Sequence, residues 1–227
     1  MSDPYQVVRD FEAALCDYTG APYAVAVNSC SMALLLAVAW HLQLRRAFYL
    51  APLHAATRGM ADVRLDIEIP KRTYVSVPMS IIHAGGRPTF RDEAWLGAYQ
   101  LKPLPVWDSA RWLTGGHYQM VMERLASAAG QFVCVSFHAS KILGDTQGGA
   151  ILHDDAEADA WLRRARFDGR TEGVAPKDDE FTQIGWHCYM SPDVAARLRL
   201  KLHSLPTFNA PLPNDPYPDL STMEIFR

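Results

Sequence analysis

Apolar positions along the chain follow two spacings, one helical and one strand-like. Residues 5–18 carry apolar side chains at every third or fourth position and stop before Gly20, which predicts an amphipathic helix closed by a glycine. Residues 132–137 form a short apolar run bounded by polar residues, which predicts a buried strand. The same two patterns predict strands at 23–27, 66–70, 88–92, 106–108 and 148–152, and helices at 32–44, 79–84, 117–129, 156–167 and 191–205. Because strands alternate with helices, we expect an α/β fold around a mainly parallel sheet.

Side chains with useful chemistry follow three of these strands directly. They are the polar turn at 28–31, Tyr74 and Lys141. Ligands of such sheets bind at the carboxyl ends of the strands. We therefore expect the turn, the tyrosine and the lysine to share one edge of the sheet.

Lys141 lies just past the predicted strand at 132–137. Burial at such a position disfavours the ammonium form, and a neutral lysine amine can form a Schiff base with an aldehyde cofactor. The alternative is an ordinary solvated lysine at the end of a strand. For a lysine without further context, that alternative is the stronger one.

The turn at 28–31 (Asn-Ser-Cys-Ser) stands between a strand and a helix N-terminus. Unpaired N–H groups and the helix dipole favour an anion such as a phosphate there, and the Ser31 hydroxyl could add a donor. The alternative is plain N-capping by serine or asparagine. On the turn alone we prefer capping.

Asp108 ends the predicted strand at 106–108. A carboxylate close to a buried cation or to a protonated pyridine nitrogen would stay ionised. The alternative is an aspartate that caps a helix or turn at 109–113.

Composition narrows the class of protein. The chain of 227 residues carries a net charge of −3, which gives no electrostatic reason to expect nucleic acid or an anionic membrane as partner. The four cysteines are far apart, so neither a disulfide framework nor a zinc site is expected, and a reducing compartment is favoured. The N-terminus does not resemble a signal peptide, and residues 24–42 are too interrupted by polar side chains for a membrane span. We expect residues 45–65 to continue the preceding helix or to form a loop, and to hold no site.

Six segments, in chain order, resemble the DegT/StrS family of sugar aminotransferases that use pyridoxal 5'-phosphate. The strongest matches are the phosphate turn "avNSGTaAL", here AVNSCSMAL, and the lysine motif "SfhptK", here SFHASK. The matching segments are 11–34, 69–92, 108–111, 136–141, 148–149 and 185–190. The resemblance implies the large domain of the aspartate aminotransferase type, a three-layer sandwich, over residues 1–205 in a shortened form that lacks the family's small C-terminal domain. Residues 206–227, which hold five prolines, are expected to be an extended tail.

The resemblance also implies roles for single residues. Lys141 would hold the cofactor and move a proton between substrate and cofactor carbons, and Asp108 would pair with the pyridinium nitrogen. Tyr74 would stack on the ring. The cofactor phosphate would be held by Ser31, the Met32 amide and Ser136.

His187 stands at the family's asparagine position and would reach the phosphate of a neighbouring subunit, which implies a homodimer with shared sites. Arg111 replaces a glutamine that contacts the cofactor's 3′-oxygen, and it would bind either that oxygen or a substrate anion. Cys30 replaces a glycine of the phosphate turn.

Three functions follow from the resemblance. The first is a cytoplasmic aminotransferase that moves an amino group from glutamate or glutamine to a keto-sugar nucleotide. The second is a dehydratase or lyase that uses the same cofactor, although the family's sugar dehydratase has histidine at the position of Lys141. The third is a catalytically impaired homologue that serves as a binding or partner subunit. We expect the first.

Overall fold

The structure, a computed structural model, describes residues 3–50, 64–124 and 130–226, with the backbone alone at 44–50 and at 124. The helices are α1 Gln6–Thr19, α2 Cys30–Leu50, α3 Ser76–His83, α4 His117–Arg124, α5 Ala156–Ala165 and α6 Pro192–His203. The strands are β1 Tyr23–Val27, β2 Asp66–Pro70, β3 Arg87–Arg91, β4 Tyr99–Gln100, β5 Val106–Asp108, β6 Phe132–Ser136 and β7 Gly149–His153.

The predicted elements are present within the described residues, with ends that differ by up to six residues. Gly20 closes α1 in the left-handed conformation, at φ 75°, as predicted for a glycine C-cap. The continuation expected after residue 44 is helical as far as Leu50. Residues 51–63, and the part of the fourth helix predicted at 125–129, lie outside the described residues. The strand β4 was not predicted.

The sheet is mixed, so the expectation of a mainly parallel sheet is wrong. Five strands lie in the order β1-β7-β6-β5-β4, and β2 and β3 form a separate parallel pair. In the larger sheet only β5 and β6 run parallel. A parallel pair needs a crossover that is usually helical, whereas β6 and β7 are joined by residues 137–148, which form no helix.

Helices cover both faces of the larger sheet, which confirms the three-layer α/β sandwich. Along β1, Val25 and Val27 point into a core shared with α2, α3 and α5. The alternate residues Ala24 and Ala26 point into a second core with α1, α4 and α6. This is the period-two pattern of a strand buried on both faces.

Residues 206–226 run along the surface of this sandwich and contain short 3-10 turns at Leu220–Thr222 and Glu224–Phe226. Thr114 donates to the Thr207 carbonyl at 3.0 Å, and Leu220 is fully buried. The segment is thus bound to the rest of the chain along its length. A domain boundary at residue 205 stays a prediction. No helix among the described residues is long and apolar enough to cross a membrane.

Candidate active site

A cavity of about 430 Å³ lies where several strands end. Its walls come from the segments that follow β1, β2, β5 and β6, and from the C-terminal segment. The turn at 28–31, Tyr74 and Lys141 therefore lie around one cavity at the ends of the strands, as expected. The lining includes six of the residues predicted to act here: Ser31, Tyr74, Asp108, Arg111, Ser136 and Lys141.

Lys141 follows β6 in the connection that leads to β7. Its N–H donates to the His138 carbonyl at 2.8 Å, which fixes the backbone in a turn. Burial lowers the pKa of Lys141, the nearby Arg111 guanidinium lowers it further, and Asp108 opposes both. The amine is therefore easier to deprotonate than that of a solvated lysine, as an amine that attacks an aldehyde requires.

Asp108 is 4% exposed at the end of β5. Its Oδ2 accepts a 2.7 Å hydrogen bond from the Tyr99 hydroxyl, and its Oδ1 accepts a 2.9 Å bond from the Ala110 N–H. The turn-capping interpretation is thus correct for one carboxylate oxygen. Burial raises the pKa of Asp108, while Tyr99, Ala110 and Lys141 act in the opposite direction. A buried carboxylate of this kind is stabilised further by any cation that enters the cavity.

The turn after β1 is an N-cap, as preferred from the sequence. The Ser29 Oγ accepts the Met32 N–H at 3.2 Å, and α2 begins at Cys30. Met32 does not line the cavity, so its placement does not support its predicted contact with a phosphate. Ser31 does line it, with its Oγ 2.6 Å from the Ser76 Oγ. Two adjacent hydroxyls thus stand beside the start of α2.

The thiol of Cys30 lies on the same wall of the cavity. Burial raises its pKa well above the usual value, and the carboxylate of Asp108 adds to this effect. A thiol in such surroundings stays protonated and is a poor nucleophile. Cys30 therefore contributes volume to the turn rather than charge.

Tyr74 is 58% exposed on the cavity wall, so its ring has a free face. Ser136 is 8% exposed and lies at the end of β6. Its Oγ accepts the His138 N–H at 3.4 Å, a weak bond that leaves the hydroxyl proton available.

Arg111 is 7% exposed, and its guanidinium is held by the C-terminal segment. Its Nη1 donates to Asp215 Oδ2 at 2.6 Å and contacts the Tyr217 hydroxyl at 3.5 Å, and its Nη2 donates to the Pro213 carbonyl. Asp215 and Tyr217 themselves line the cavity. Sequence reasoning missed both residues, because no local pattern links a proline-rich tail to a position about a hundred residues earlier.

His187 does not line the cavity. Its side chain is 71% exposed, and its Nδ1 lies 2.8 Å from Asp168 Oδ2. This outward position leaves the predicted contact with a neighbouring subunit as a prediction.

Comparison with known proteins identifies the family. The model of the DegT/DnrJ/EryC1/StrS aminotransferase family matches residues 1–106 and 104–211. The chain is 30% identical to the spore coat polysaccharide biosynthesis protein SpsC of Bacillus subtilis, with 74% of this chain and 47% of that protein covered. It is 25% identical to a UDP-4-amino-4,6-dideoxy-N-acetyl-beta-L-altrosamine transaminase of Campylobacter jejuni, with 84% of this chain and 54% of that protein covered. The chain thus spans about half the length of these curated relatives.

Solved structures support the fold. DesV from S. venezuelae matches with a TM-score of 0.59 at 18% identity, covering 88% of this chain and 57% of DesV. The sugar aminotransferase CalS13 from Micromonospora echinospora matches with a TM-score of 0.60 at 18% identity, covering 87% of this chain and 60% of CalS13. The family match, the shared fold and the cavity that holds the motif residues agree, and the chain belongs to the DegT/DnrJ/EryC1/StrS aminotransferase family.

Proposed function

We propose that this chain is a sugar aminotransferase that uses pyridoxal phosphate and moves an amino group from an amino acid, glutamate or glutamine, to a keto-sugar nucleotide. The observation that carries the proposal is that Lys141 and Asp108 line one cavity. The Campylobacter jejuni relative is a transaminase of a UDP-linked sugar, which supports a sugar nucleotide as acceptor.

The residues of the cavity fit pyridoxal phosphate. Asp108 is a buried carboxylate whose pKa is raised by burial, so it would be stabilised by a protonated ring nitrogen. Ser31 and Ser136 offer hydroxyls on the same cavity, and Tyr74 offers the face of an aromatic ring. A cavity of about 430 Å³ has room for a cofactor of this size.

When bound, pyridoxal phosphate supplies an aldehyde that forms a Schiff base with an amine and a ring that accepts electrons from the substrate α-carbon. Lys141 would hold the cofactor and then, as a free amine, accept the proton from the substrate α-carbon. Its lowered pKa favours the neutral form that this task requires.

Asp108 would accept a hydrogen bond from the protonated ring nitrogen and keep that proton in place. Tyr99 supports this role, because its hydroxyl holds one carboxylate oxygen at 2.7 Å and so fixes the carboxylate plane. Ser31 and Ser136 would bind the phosphate, and Tyr74 would cover the ring. A homodimer in which His187 serves the neighbouring site, and a cytoplasmic location, belong to this proposal.

The alternative is a catalytically impaired homologue that binds the cofactor weakly or not at all and acts as a binding or partner subunit. The contact between Arg111 and Asp215 favours it, since it occupies a guanidinium that lines the cavity. A half-reaction separates the two functions. The protein loaded with pyridoxal phosphate is mixed with glutamate and, separately, with glutamine, and pyridoxamine phosphate and the 2-oxo acid of each donor are measured. We expect both products from the wild-type chain and neither from Lys141→Ala. If the wild type and Lys141→Ala form the same amounts of these products, the proposed enzyme function is wrong.

A further inference from the structure

We propose that Arg111 is the binding site for a carboxylate of the amino-acid substrate, and that Asp215 occupies this site until the substrate displaces it. The inference rests on the proposed function, whose amino donor it places in the cavity. It assigns a role to the C-terminal segment, which the family resemblance does not cover.

Arg111 has the properties of a carboxylate receptor. It is 7% exposed, so its charge is largely removed from water and needs an anionic partner. A guanidinium forms paired hydrogen bonds with a planar carboxylate. Its Nε is buried and makes no hydrogen bond within the part of the chain that the structure describes, so the hydrogen-bonding capacity of the guanidinium is not fully used.

Asp215 shows that a carboxylate fits this guanidinium. Its Oδ2 lies 2.6 Å from Arg111 Nη1, yet its own side chain is 60% exposed. Rotation of Asp215 into water rehydrates its carboxylate, and a substrate carboxylate that takes its place keeps the buried Arg111 guanidinium paired. Asp215 can therefore exchange with a substrate, whereas Arg111 cannot leave.

Other contacts, apart from the ion pair between Asp215 and Arg111, also hold the C-terminal segment in place. Asn214 donates to the Trp95 carbonyl at 2.6 Å, and the Tyr217 ring stacks on Trp95 at 6.2 Å. Exchange at Arg111 thus requires a rotation of the Asp215 side chain, which also gives up the 3.3 Å hydrogen bond that Asp215 Oδ2 accepts from the Tyr217 hydroxyl, and it leaves the segment in place.

The position of Arg111 suits an α-amino acid. Arg111 and Lys141 line the same cavity, and their charges interact strongly enough to affect the pKa of Lys141. The amino group and carboxylate of an amino acid are attached to one carbon, so a carboxylate on Arg111 would bring the amine to the neighbourhood of Lys141. A nucleotide diphosphate is the competing anion, because arginine binds phosphate by the same donors.

The test measures anion binding without the cofactor. Isothermal titration calorimetry gives the affinity for glutarate, a dicarboxylate without an amine, and for uridine diphosphate. We expect Asp215→Asn to bind glutarate about tenfold more tightly than the wild type, which corresponds to about 1.4 kcal/mol. The gain should disappear in Asp215→Asn combined with Arg111→Gln. Asp219→Asn is the matched control. Asp219 is another acid of the same segment, its Oδ2 lies 3.4 Å from Lys71 Nζ, and it does not line the cavity.

Three results would overturn the inference. They are an unchanged glutarate affinity in Asp215→Asn, an equal gain in Asp219→Asn, and a gain for uridine diphosphate that matches or exceeds the gain for glutarate. If circular dichroism shows that the double variant does not fold, Arg111→Lys combined with Asp215→Asn replaces it. Lysine keeps the positive charge but lacks the paired N–H donors of a guanidinium. An undiminished gain in glutarate affinity in this variant would contradict a guanidinium site. Cofactor binding is measured separately on the same proteins. Normal cofactor binding without the glutarate effect removes this inference alone, whereas absent cofactor binding removes the proposed function whatever the glutarate result.

Discussion

The backbones of Gly149 and Cys30 touch, and a Cβ placed on Gly149 would lie 2.5 Å from the Cys30 nitrogen. This contact joins the start of β7 to the turn that begins α2 and lines the cavity. A side chain at residue 149 would push this turn away from the sheet. The Gly-Gly pair after Lys141 is therefore a packing requirement of the site wall.

Gly149→Ala should reduce stability by about 3 kcal/mol, because the backbone atoms of Ser29 and Cys30 would lie too close to the added methyl group. The free energy of unfolding in urea measures this. Gly173→Ala is the control, since a Cβ there meets nothing within 4 Å and only its φ of 81° is unfavourable. We expect about 1 kcal/mol for the control. Equal losses of unfolding free energy in the two variants would show that the close contact with Cys30 is not the reason why residue 149 is glycine.

A buried ion cluster joins α1 to α5. Glu12 accepts the Ala26 N–H at 2.8 Å and pairs with Arg163 at 2.7 Å and with Arg166, which is 1% exposed. Burial raises the pKa of Glu12, but the two arginines outweigh burial and the net pKa is lowered. The carboxylate is therefore ionised in the folded protein at neutral pH.

Glu12→Gln should cost about 3 kcal/mol in unfolding free energy, because Arg163 and Arg166 lose their most buried counter-charge and keep only Asp159 and Glu172 as ion-pair partners. Asp66→Asn breaks the exposed pair between Asp66 and Arg87, and we expect a much smaller loss of stability from it. A small loss in Glu12→Gln would mean that water or other acids compensate the arginines.

His153 should make stability depend on pH. The ring is fully buried between Tyr23 and Phe132, and burial lowers its pKa from 6.5 to about 4. Between these values the unfolded chain binds a proton at His153 and the folded chain does not. Stability from this group is therefore present above about pH 6.5 and is lost as the pH falls toward 4, by roughly 3 kcal/mol in total.

The variant His153→Gln isolates this effect from the carboxylates that titrate in the same range. Its unfolding free energy should fall less steeply than that of the wild type between about pH 7 and pH 4. Parallel curves for the two proteins would show that His153 is not buried in its neutral form.

Asp108 should matter to the half-reaction through its charge. Asp108→Asn keeps the shape of the side chain but cannot hold a ring proton, so we expect the rate with glutamate to fall about a hundredfold or more. Tyr99→Phe removes the 2.7 Å hydrogen bond to Asp108 together with the 2.6 Å hydrogen bond between Tyr99 and Thr73. It should slow the reaction about tenfold, as expected for the loss of one hydrogen bond to a charged group. Stopped-flow absorbance measures both rates. A wild-type rate in Asp108→Asn would exclude its role with the ring nitrogen.

Local sequence patterns were sufficient for most of the elements, β4 excepted, and for part of the site. The helix that ends at Gly20 and the strand before Lys141 depend on residues that are neighbours along the chain, and both were predicted. The capping role of Ser29 is equally local, because the hydroxyl and the N–H it accepts are three residues apart.

Long-range partners could not be predicted in this way. The order and direction of the strands depend on which surfaces pack together, and the alternation of strands and helices wrongly indicated a mainly parallel sheet. Arg111 was recognised as a departure from the family motif, but its partner Asp215 lies 104 residues later in a segment without periodic pattern. Such pairs are determined by the tertiary fold.

The most direct test of the central claim is to map the attachment of the cofactor. The purified protein is incubated with pyridoxal phosphate and reduced with borohydride, and the modified peptide is identified by mass spectrometry. We predict one reduced adduct on Lys141, lost in Lys141→Ala and retained in Lys102→Ala, whose lysine is outside the cavity lining. No adduct, or adducts spread over surface lysines in both variants, would contradict an active site at Lys141.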